Sequence, residues 1–404
     1  MDPAADALLT EPTQVAALLA AVLAGVFALS KVAALEKLFA VLPPVIWAYF
    51  VPMLLTTFGV TPSANAAYDW FSYVLLPFAL FLLMITIDVK AILSLGPLAL
   101  GMMLVGTLGI VIGGPVAFLA VGQFIGGAET WQGMAALAGS WIGGTANMVA
   151  MQESVGLSDA GLAPIIVVDT VVGYGWMAVL LFLSGYQARF DRWVGADTSA
   201  VDRVNETLKS LDTTRRPSTI QSVAIIVGLG FGAAVLSRVI GAEMPELGIT
   251  RDGAFIKMIT GGTWAVLIAV TVGLALSFTP MRRLETDGAS RIGFAALYLL
   301  LTSIGAHADL GAVLEAPAYM LMGVVWMAVH IGILFLGARL LRAPLFFVAT
   351  GSMANVGGAA SAPIVAGVYH PAMAPVGLLM AVAGYVLGIY AALGCAAMLG
   401  FLGG

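Results

Sequence analysis

The sequence predicts an all-α polytopic membrane protein built from two inverted repeats, each with one broken or re-entrant helix. Three observations lead to this fold class. The 404 residues are 61% hydrophobic and only 10% charged, whereas soluble domains are about one-quarter charged. Twelve apolar segments follow one another along the chain, most of them near the ~20 residues that a transmembrane helix needs. One segment in each half is interrupted by glycine pairs and asparagine, which disfavour a continuous helix.

The apolar segments form two sets of six, separated by a polar stretch. The first set covers residues 13–34, 41–60, 68–89, 97–122, 131–156 and 160–187. The second set covers residues 220–241, 257–279, 290–307, 317–341, 344–370 and 373–402. The stretch between them is too polar to enter lipid. The sequence therefore predicts a first transmembrane repeat over 1–187, a polar linker over 188–218 and a second repeat over 219–404.

Short motifs that recur in the same order indicate that the halves are repeats of each other. The first segment of one half closes with LSKV (29–32), and that of the other closes with LSRV (236–239). An Ala-Pro pair precedes a Gly-Tyr pair at the same spacing in 163–174 and in 374–385. One such match in a chain rich in glycine and alanine carries little information, but several in one order favour a duplication.

The fifth segment of each half predicts a break in the helix. These segments read GSWIGGTANMVAMQESVG (139–156) and GSMANVGGAASAPIVAGVYHP (351–371). Irregular backbone at membrane depth is stable only inside protein or beside an aqueous cavity. The two breaks therefore predict a polar interior site. The alternative is close packing of unbroken helices on small residues.

The distribution of basic residues predicts the topology, because cytoplasmic loops are enriched in lysine and arginine. If both broken segments are re-entrant hairpins and the N-terminus is outside, all but three of the 17 basic residues face the cytoplasm. The exceptions are Arg238, Arg251 and Lys257. A topology in which all twelve segments cross separates the basic residues less completely. We therefore expect ten spans, two hairpins, a cytoplasmic linker and both termini outside.

Broken helices that meet near the bilayer midplane are typical of the binding sites of secondary transporters. The N-terminus of a half-helix attracts anionic groups, and free carbonyl oxygens can coordinate cations. Asn147 and Asn355 are expected to approach each other and to line the solute site. The predicted solute-binding residues are the small and polar residues of the two interruptions: Ser140, Gly143, Gly144, Thr145, Asn147, Ser352, Asn355, Gly357, Gly358 and Ser361.

Asp169 is the strongest candidate for binding the coupling ion, sodium or a proton. It lies well inside the apolar run LAPIIVVDTVVGYGWMAVL, where a charged side chain costs about 2.5–3.5 kcal/mol by insertion scales. The alternative is a neutral aspartic acid bonded to a backbone group. Glu153, at the end of the first interruption, and His330, in the middle of a span, are further candidates for ion coupling. A packing role is the alternative for His330.

Enzymatic functions find no support in the sequence. The three histidines, His307, His330 and His370, form no metal-binding motif with the single Cys395, and no phosphate-binding loop is present. We expect no cofactor beyond the coupling ion and no binding of nucleic acid. The expected partners are membrane lipid, a small-molecule solute and a second copy of the chain in a homodimer. The acidic N-terminal residues do not resemble a signal peptide.

The two interruptions, together with APIIVVDTVVGYG (163–175), resemble the DUF819 (YjcL-like) family of bacterial and plastid membrane proteins. That family is distantly similar to bile-acid/sodium symporters, cation/proton antiporters and glutamate/sodium symporters. The resemblance implies an elevator architecture, in which a core domain moves against a scaffold. It also matches Asp169 to the ion-binding carboxylate of the antiporters. Val168 and Thr170 stand where many antiporters have a second acidic residue, which argues against antiport.

The predicted function is therefore ion-coupled secondary transport of a small organic anion, an amino acid or a peptide-like solute. The coupling ion is sodium or a proton, the mechanism is of the elevator type, and the expected location is the bacterial inner membrane. A monovalent cation/proton antiporter is the first alternative. A non-transporting membrane scaffold or sensor is an alternative of another class.

Overall fold

The computed structural model describes residues 7–41, 44–125, 129–199, 201, 217–251, 254–307, 316–370 and 373–403. These residues are almost entirely helical, apart from one short β-hairpin. Within the described ranges, eight helices are long and apolar enough to cross a membrane. The predicted fold class, a helical polytopic membrane protein, is confirmed.

The first half forms six main helices that coincide with the six apolar segments. They are α1 (Pro12–Leu29), α2 (Pro44–Thr57), α3 (Ala66–Ile85), α4 (Gly96–Val121), α5 (Thr130–Val155) and α6 (Asp159–Leu183). α3 contains a π-helical turn, Phe71–Leu75. A short helix, α7 (Gln187–Val194), follows α6. Smaller turns and helices are Ala33–Leu35, Glu36–Val41, Val89–Leu93, Gly122–Phe124 and Ser184–Tyr186.

The second half begins with α8 (Ile220–Glu243), followed by the antiparallel strands β1 (Leu247–Arg251) and β2 (Ala254–Ile259). Its remaining helices are α9 (Gly261–Ser277), α10 (Ala289–His307), α11 (Ala316–Leu341), α12 (Leu345–Val356), α13 (Gly358–Tyr369) and α14 (Ala374–Gly403). A short helix, Pro280–Glu285, precedes α10.

Two predicted spans are shorter in the structure than in the sequence pattern. The segment predicted over 257–279 begins in β2, so α9 has only 17 residues. α2 has 14 residues. Both fall below the ~20 residues that cross a bilayer without tilt or thinning. The β-hairpin was not predicted: β1 lies between two predicted segments, and the end of β2 was assigned to the apolar run that leads into α9.

Polar caps determine where several helices begin. The side chain of Ser158 caps α6 by accepting a backbone N–H of its first turn. Thr219 with Ser222 at the start of α8, and Thr260 with Thr263 at the start of α9, form reciprocal capping boxes. Each box satisfies two backbone donors that a helix N-terminus would otherwise leave unpaired.

The main helices divide into two packed groups. The hairpin bundle comprises α4, α5, α6, α11, α12, α13 and α14, and the flanking bundle comprises α1, α2, α3, α8, α9 and α10. Helices pack extensively within each group, for example α5 on α14 and α9 on α3. Packing between the groups is sparser and involves mainly α5 against α3 and α9, and α6 against α10.

α5 is a helical hairpin and not a straight rod. Its backbone leaves the helical region at Gly143 (φ −140°, ψ 16°) and Gly144 (φ 75°, ψ −177°). Ser158, just beyond its end, donates a hydrogen bond of 2.5 Å to Glu129, just before its start. A continuous helix of 26 residues would separate its ends by about 39 Å. The chain therefore folds back at the two glycines, and α5 is named hairpin A.

α12 and α13 form a second hairpin, named hairpin B. The chain turns at Gly357 and Gly358, and Gly358 has a positive φ of 60°. The ring of Phe346, near the start of α12, lies 5.3 Å from the ring of His370, just after α13. The two ends of hairpin B therefore lie together, as those of hairpin A do.

The hairpins begin at opposite ends of α6. The start of α6 follows directly on hairpin A. Near its other end, the carbonyl oxygen of Leu180 accepts a hydrogen bond of 2.8 Å from Tyr369 of hairpin B. With 25 residues, α6 is about 37 Å long. The sequence therefore located both breaks correctly, and each segment folds back as a hairpin; re-entry at one membrane face stays a prediction. That the halves are repeats stays a prediction.

Basic residues gather at the end of the molecule where hairpin B and α7 lie. Arg339 donates to the carbonyl of Trp193, the Arg342 carbonyl accepts from the Asp197 amide at 2.9 Å, and Arg282 pairs with Asp88. This end also carries both edges of the predicted linker, of which residues 202–216 lie outside the described residues. The arrangement agrees with the distribution from which the cytoplasmic side was predicted.

Candidate functional site

A cavity of about 580 Å³ lies at the tips of the two hairpins, between the two bundles. Its volume falls in the range of small-molecule sites. The hairpin bundle contributes residues of both tips, of α6 and of α14, and the flanking bundle contributes α1, α2 and α10. The lining residues are Phe27, Pro44, Ser140, Gly144, Thr145, Ala146, Asp169, Thr170, Gly173, Tyr174, Arg291, Phe294, Ala295, Leu297, Tyr298, Met353, Val356, Gly357, Gly358, Ala359 and Tyr385.

The two tips approach each other closely at this cavity. A Cβ placed on Gly358 would lie 3.9 Å from the Cα atom of Gly144, and both glycines have positive φ. The second arm of each hairpin begins at these residues, so its first backbone N–H groups have no acceptor within their own helix. Helix N-termini of this kind attract anionic groups. The junction of the tips is therefore suited to a ligand that carries negative charge.

Asp169 lies halfway along α6 and faces the same cavity. Its Oδ2 atom accepts a hydrogen bond of 2.9 Å from Ser140 of hairpin A. Its Oδ1 atom is buried and forms no hydrogen bond of regular geometry among the described residues, and the indole Nε1 of Trp141, which also lacks an acceptor, lies close to the carboxyl group. A carboxylate oxygen left unpaired inside a membrane protein is costly. The atom is available for a proton or a cation.

Aromatic rings form much of the cavity wall. Phe294 and Tyr298 of α10 stack with ring centroids 6.3 Å apart, and Phe27 meets Tyr298 edge-on at 5.3 Å. Tyr174 and Tyr385, from the hairpin bundle, complete the ring-lined surface. The sequence interpretation missed these aromatic residues. Only Tyr174 and Tyr385 had a signal, the pair of Gly-Tyr motifs, which was used as evidence for the repeat.

Six of the predicted site residues line the cavity: Ser140, Gly144, Thr145, Gly357, Gly358 and Asp169. Seven others do not: Gly143, Asn147, Ser352, Asn355, Ser361, Glu153 and His330. The second group is mostly buried and bonded within the protein. Arg291, which was not predicted, is the basic residue among the described lining residues.

Comparison with known proteins assigns the chain to a family. Residues 17–402 match the family described as "Protein of unknown function (DUF819)". The chain belongs to the DUF819 family. A relative in Bacillus subtilis (strain 168), "Uncharacterized membrane protein YjcL", is 24% identical over 352 residues, which are 84% of this chain and 85% of the relative. The resemblance inferred from the interrupted segments is thus confirmed, and the DUF819 protein is an integral membrane protein.

In the DUF819 protein, Asn147 joins hairpin A to α14 and does not line the cavity. Its Nδ2 atom donates to the carbonyl oxygens of Gly143, at 3.2 Å, and Tyr385, at 3.3 Å. Gly143 is the first residue of the break, so its carbonyl needs a partner outside the regular helix. This placement differs from the predicted role in lining the solute site, because the amide is used to close the turn.

Asn355 makes similar contacts in hairpin B. Its Nδ2 atom donates to the carbonyl oxygens of Gly351, at 2.9 Å, and Met103, at 3.1 Å, while its Oδ1 atom accepts from Thr107 at 2.8 Å. Three partners leave little capacity for a solute. Here too the structure differs from the predicted lining role: the asparagine attaches the hairpin to α4.

His330 and Ser352 belong to a buried chain of hydrogen bonds. The Nδ1 atom of His330 lies 3.1 Å from the carbonyl oxygen of Gly106, and its Nε2 atom lies 2.8 Å from the hydroxyl of Ser352. The indole of Trp176 donates to the same hydroxyl at 2.8 Å. The chain connects α4, α11, hairpin B and α6. It does not reach the cavity, which favours the packing alternative for His330.

The two remaining predicted residues are also engaged elsewhere. Ser361 lies against the hydroxyl of Tyr174, behind the cavity wall. Glu153 forms an ion pair of 2.9 Å with Arg238 of α8, at the end of hairpin A remote from its tip. The predicted part of Glu153 in ion coupling therefore lacks the proximity to Asp169 that it would require.

Proposed function

We propose that this DUF819 protein is an ion-coupled secondary transporter of a small organic anion, amino acid or peptide-like solute, working by an elevator mechanism in the bacterial inner membrane. The observation that carries the proposal is the meeting of two hairpins, from opposite ends of the molecule, at a cavity lined by Asp169, whose Oδ1 atom makes no hydrogen bond among the described residues. Secondary transporters with broken helices bind solute and ion at such junctions.

The lining supports a solute with a negative group and an apolar body. The N-termini of the second arms of both hairpins lie at the cavity, and Arg291 adds a guanidinium from the flanking bundle. The rings of Tyr174, Phe294 and Tyr298 offer flat apolar surface. A carboxylate suits the first set of groups, and an aromatic or branched side chain suits the second.

Asp169 supplies the ion coupling in this proposal. It is the acidic residue among the described lining residues, and one of its oxygens is unpaired. Occupation by sodium or a proton neutralises its charge, so the loaded and empty carriers differ in charge. A charged site crosses a low-dielectric barrier less easily than a neutral one. Movement of the site therefore depends on the bound ion, and the ion gradient drives uptake of the solute.

The division into two bundles supports the elevator mechanism. Both hairpins, α6 and most of the cavity lining belong to one bundle, and the contact with the flanking bundle is comparatively sparse. Such a bundle can slide as a unit, because its internal packing is preserved while only the sparser interface changes.

The proposal predicts that Asp169→Asn abolishes the dependence of transport on the ion gradient while the protein still folds, because the substitution keeps the size and removes the charge. The measurement is uptake into reconstituted vesicles under imposed sodium or proton gradients, with pools of amino acids, dipeptides and carboxylates as solutes. Asp287→Asn, the same change at a residue that does not line the cavity, is the matched control and should retain coupling.

The same experiment separates the alternatives. Unchanged coupling to both ions in Asp169→Asn would make Asp169 a structural residue. Sodium–proton exchange that needs no solute would indicate a cation/proton antiporter, a function for which the apolar Val168 and the neutral Thr170 offer no second carboxylate. Absence of any flux with a correctly folded protein would favour a scaffold or sensor.

A further inference from the structure

A second cavity, of about 340 Å³, lies at the base of hairpin A, on the face opposite the linker. It separates hairpin A from α3 and α10 of the flanking bundle. Its lining is rich in polar side chains: Asp69, Ser72, Gln152, Glu153, Asp159 and His307. At its border, two ion pairs connect hairpin A and the adjoining start of α6 to the flanking bundle.

The first ion pair joins Arg238 of α8 to Glu153 of hairpin A. Arg238 Nη1 lies 2.9 Å from Glu153 Oε1, and the Arg238 side chain is only 8% exposed. Arginine is rarely buried without partners. Among the described residues, the sole carboxylate that pairs with it belongs to the other bundle. The contact is therefore an ion pair between two bundles that otherwise pack sparsely.

The rest of the guanidinium is fixed by an irregularity in α3. Pro77 has no N–H, so the carbonyl of Tyr73 loses its α-helical donor and the carbonyl of Ser72 loses its π-helical donor. Arg238 replaces both: Nε donates to Tyr73 at 2.9 Å and Nη2 donates to Ser72 at 3.1 Å. Its guanidinium also lies 4.8 Å from the centre of the Tyr73 ring. Arg238 is thus fixed to the flanking bundle, and its Nη1 atom is directed towards hairpin A.

The second contact joins Asp159, in the first turn of α6, to His307, at the end of α10, and it is an ion pair when the imidazole ring is protonated. Asp159 also accepts a hydrogen bond of 2.5 Å from Gln152 of hairpin A. The His307 ring packs edge-on against Tyr68 of α3, with centroids 4.7 Å apart. Like the first pair, this one has one partner in each bundle.

The tip cavity extends in the opposite direction, towards the end that carries the linker. Arg291, in the first turn of α10, and Phe27, in the last turn of α1, both line it. Ser218, the last residue of the predicted linker, donates to the Asp287 carbonyl just before α10 at 2.6 Å. The tip cavity therefore reaches towards the linker end, and it shares no lining residue with the second cavity.

We propose that Glu153–Arg238 and Asp159–His307, together named the hairpin latch, hold hairpin A against the flanking bundle and keep the tip cavity closed on the face opposite the linker. The inference rests on the proposed function, since it assigns a part of the transport cycle to the latch. Opening the cavity to that face requires the base of hairpin A to leave α8 and α10, which breaks both pairs.

Sided labelling of a cysteine in the cavity tests the latch. In a Cys395→Ala background, Thr145→Cys is treated with membrane-impermeant maleimide in intact cells and in inside-out vesicles. Without further changes, labelling is expected from the linker side. Adding Glu153→Gln and His307→Gln should raise the labelling rate from the opposite side by about tenfold, which corresponds to roughly 1.4 kcal/mol in the equilibrium between the two positions. Arg282→Gln, which removes the ion pair with Asp88, is the matched control and should leave the rate unchanged.

A reversible cross-link tests the latch within a single variant, so that a difference in folding between variants cannot explain the result. A Cβ on Gly262 of α9 would lie 3.3 Å from Glu153 Cγ, so Glu153→Cys with Gly262→Cys should form a disulfide. The pair is first oxidised to the disulfide, and the thiol of Thr145→Cys is then labelled with a maleimide spin label, whose thioether bond survives the later reduction of the disulfide. The reduced protein should admit a paramagnetic quencher from the face opposite the linker, and the oxidised protein should exclude it about tenfold more strongly.

The outcomes distinguish the latch from the proposed function. Equal quenching in the oxidised and reduced forms, or an equal rise in labelling with Arg282→Gln, would overturn the latch. Alternating accessibility that follows the latch variants, without any ion-dependent uptake, would support the latch and overturn the ion coupling. Ion-coupled uptake, together with an accessibility of the tip cavity that does not change in the latch variants, would overturn the latch and leave the proposed function standing.

Discussion

At the scale of single residues, His330 shows how a buried titratable group can be structural. A carbonyl oxygen only accepts hydrogen bonds, so the contact with Gly106 places the proton on Nδ1. Nε2 of the neutral ring then accepts the hydroxyl proton of Ser352, whose oxygen accepts the indole N–H of Trp176. Each donor in this chain has an acceptor, so the neutral imidazole is satisfied without binding a further proton.

This geometry predicts that His330→Leu lowers stability but keeps ion coupling. Leucine leaves the Ser352 hydroxyl proton without its acceptor and removes the side-chain donor to the Gly106 carbonyl, and a buried group that loses its partner costs about 1–3 kcal/mol. His330→Gln, which can donate to Gly106 and accept from Ser352, should recover most of that loss. Thermal unfolding in detergent measures the first effect, and gradient-driven uptake measures the second. Loss of proton coupling in a stable His330→Gln protein would support the hypothesis that His330 takes part in ion coupling.

At the scale of elements, hairpin A depends on close contact with α14. Gly384 and Gly388 lie on one face of that helix, towards the hairpin. A Cβ on Gly384 would lie 2.6 Å from the carbonyl oxygen of Ile142, and one on Gly388 would lie 2.0 Å from Nδ2 of Asn147. Small residues let transmembrane helices approach closely. Here they allow α14 to supply the acceptor that Asn147 needs.

We therefore expect Gly388→Ala to destabilise the protein and to impair transport, because the added methyl group must displace Asn147 or the helix. A cost of about 1–3 kcal/mol is typical of overpacking. Gly394→Ala on the same helix is the control: no atom lies within 4 Å of its Cβ position, and alanine is the better helix former by about 1 kcal/mol. Equal melting temperatures for the two variants would show that the contact is unimportant.

The sequence located the hairpins but not the orientation of their side chains. Glycine pairs at 143–144 and 357–358 predicted both turns, because few other residues adopt the positive φ that the chain needs there. Which neighbouring side chains face the cavity depends on the torsion angles of the break, and no periodicity applies across it. Asn147 and Asn355 therefore entered the predicted site, whereas Tyr298 and Arg291, from a separate helix, could not be predicted.

The latch was beyond sequence analysis for a similar reason. Glu153 and Arg238 are 85 residues apart, and no local pattern indicates that they meet. Arg238 had been noted only as part of a repeated motif and as one of three basic residues that do not face the cytoplasm in the predicted topology. Pro77 was a signal for free carbonyl groups in α3, but a proline in a helix does not specify which donor from another helix will satisfy them.

At the scale of the whole molecule, the two ends of the protein differ in charge and in exposure of the cavity. Arg282, Arg339 and Arg342 lie at the end that carries the linker, whereas Arg238 is buried near the other. Because positive charge is retained on the cytoplasmic side, the linker end is expected to face the cytoplasm. The tip cavity then opens inwards in this structure.

This orientation predicts the side from which two introduced cysteines react. In a Cys395→Ala background, Thr198→Cys, within the linker, should be protected from impermeant maleimide in intact cells and labelled in inside-out vesicles. Ser63→Cys, exposed between α2 and α3 at the other end, should show the reverse. Both positions are exposed, so accessibility within the fold does not limit either reaction. The opposite pattern would invert the molecule in the membrane and make the tip cavity open outwards.

The contact between hairpin A and α14 also constrains how the protein is made. Asn147 finds its acceptor, Tyr385, 238 residues later in the chain. At synthesis rates of about 5–20 residues per second, the hairpin leaves the ribosome on the order of ten seconds or more before that acceptor exists. Through this interval its broken backbone must remain in a protected, partly hydrated environment at the translocon or against α6. The order of translation, and not only the final packing, therefore favours a chain in which α6 follows immediately and shields the hairpin until α14 arrives.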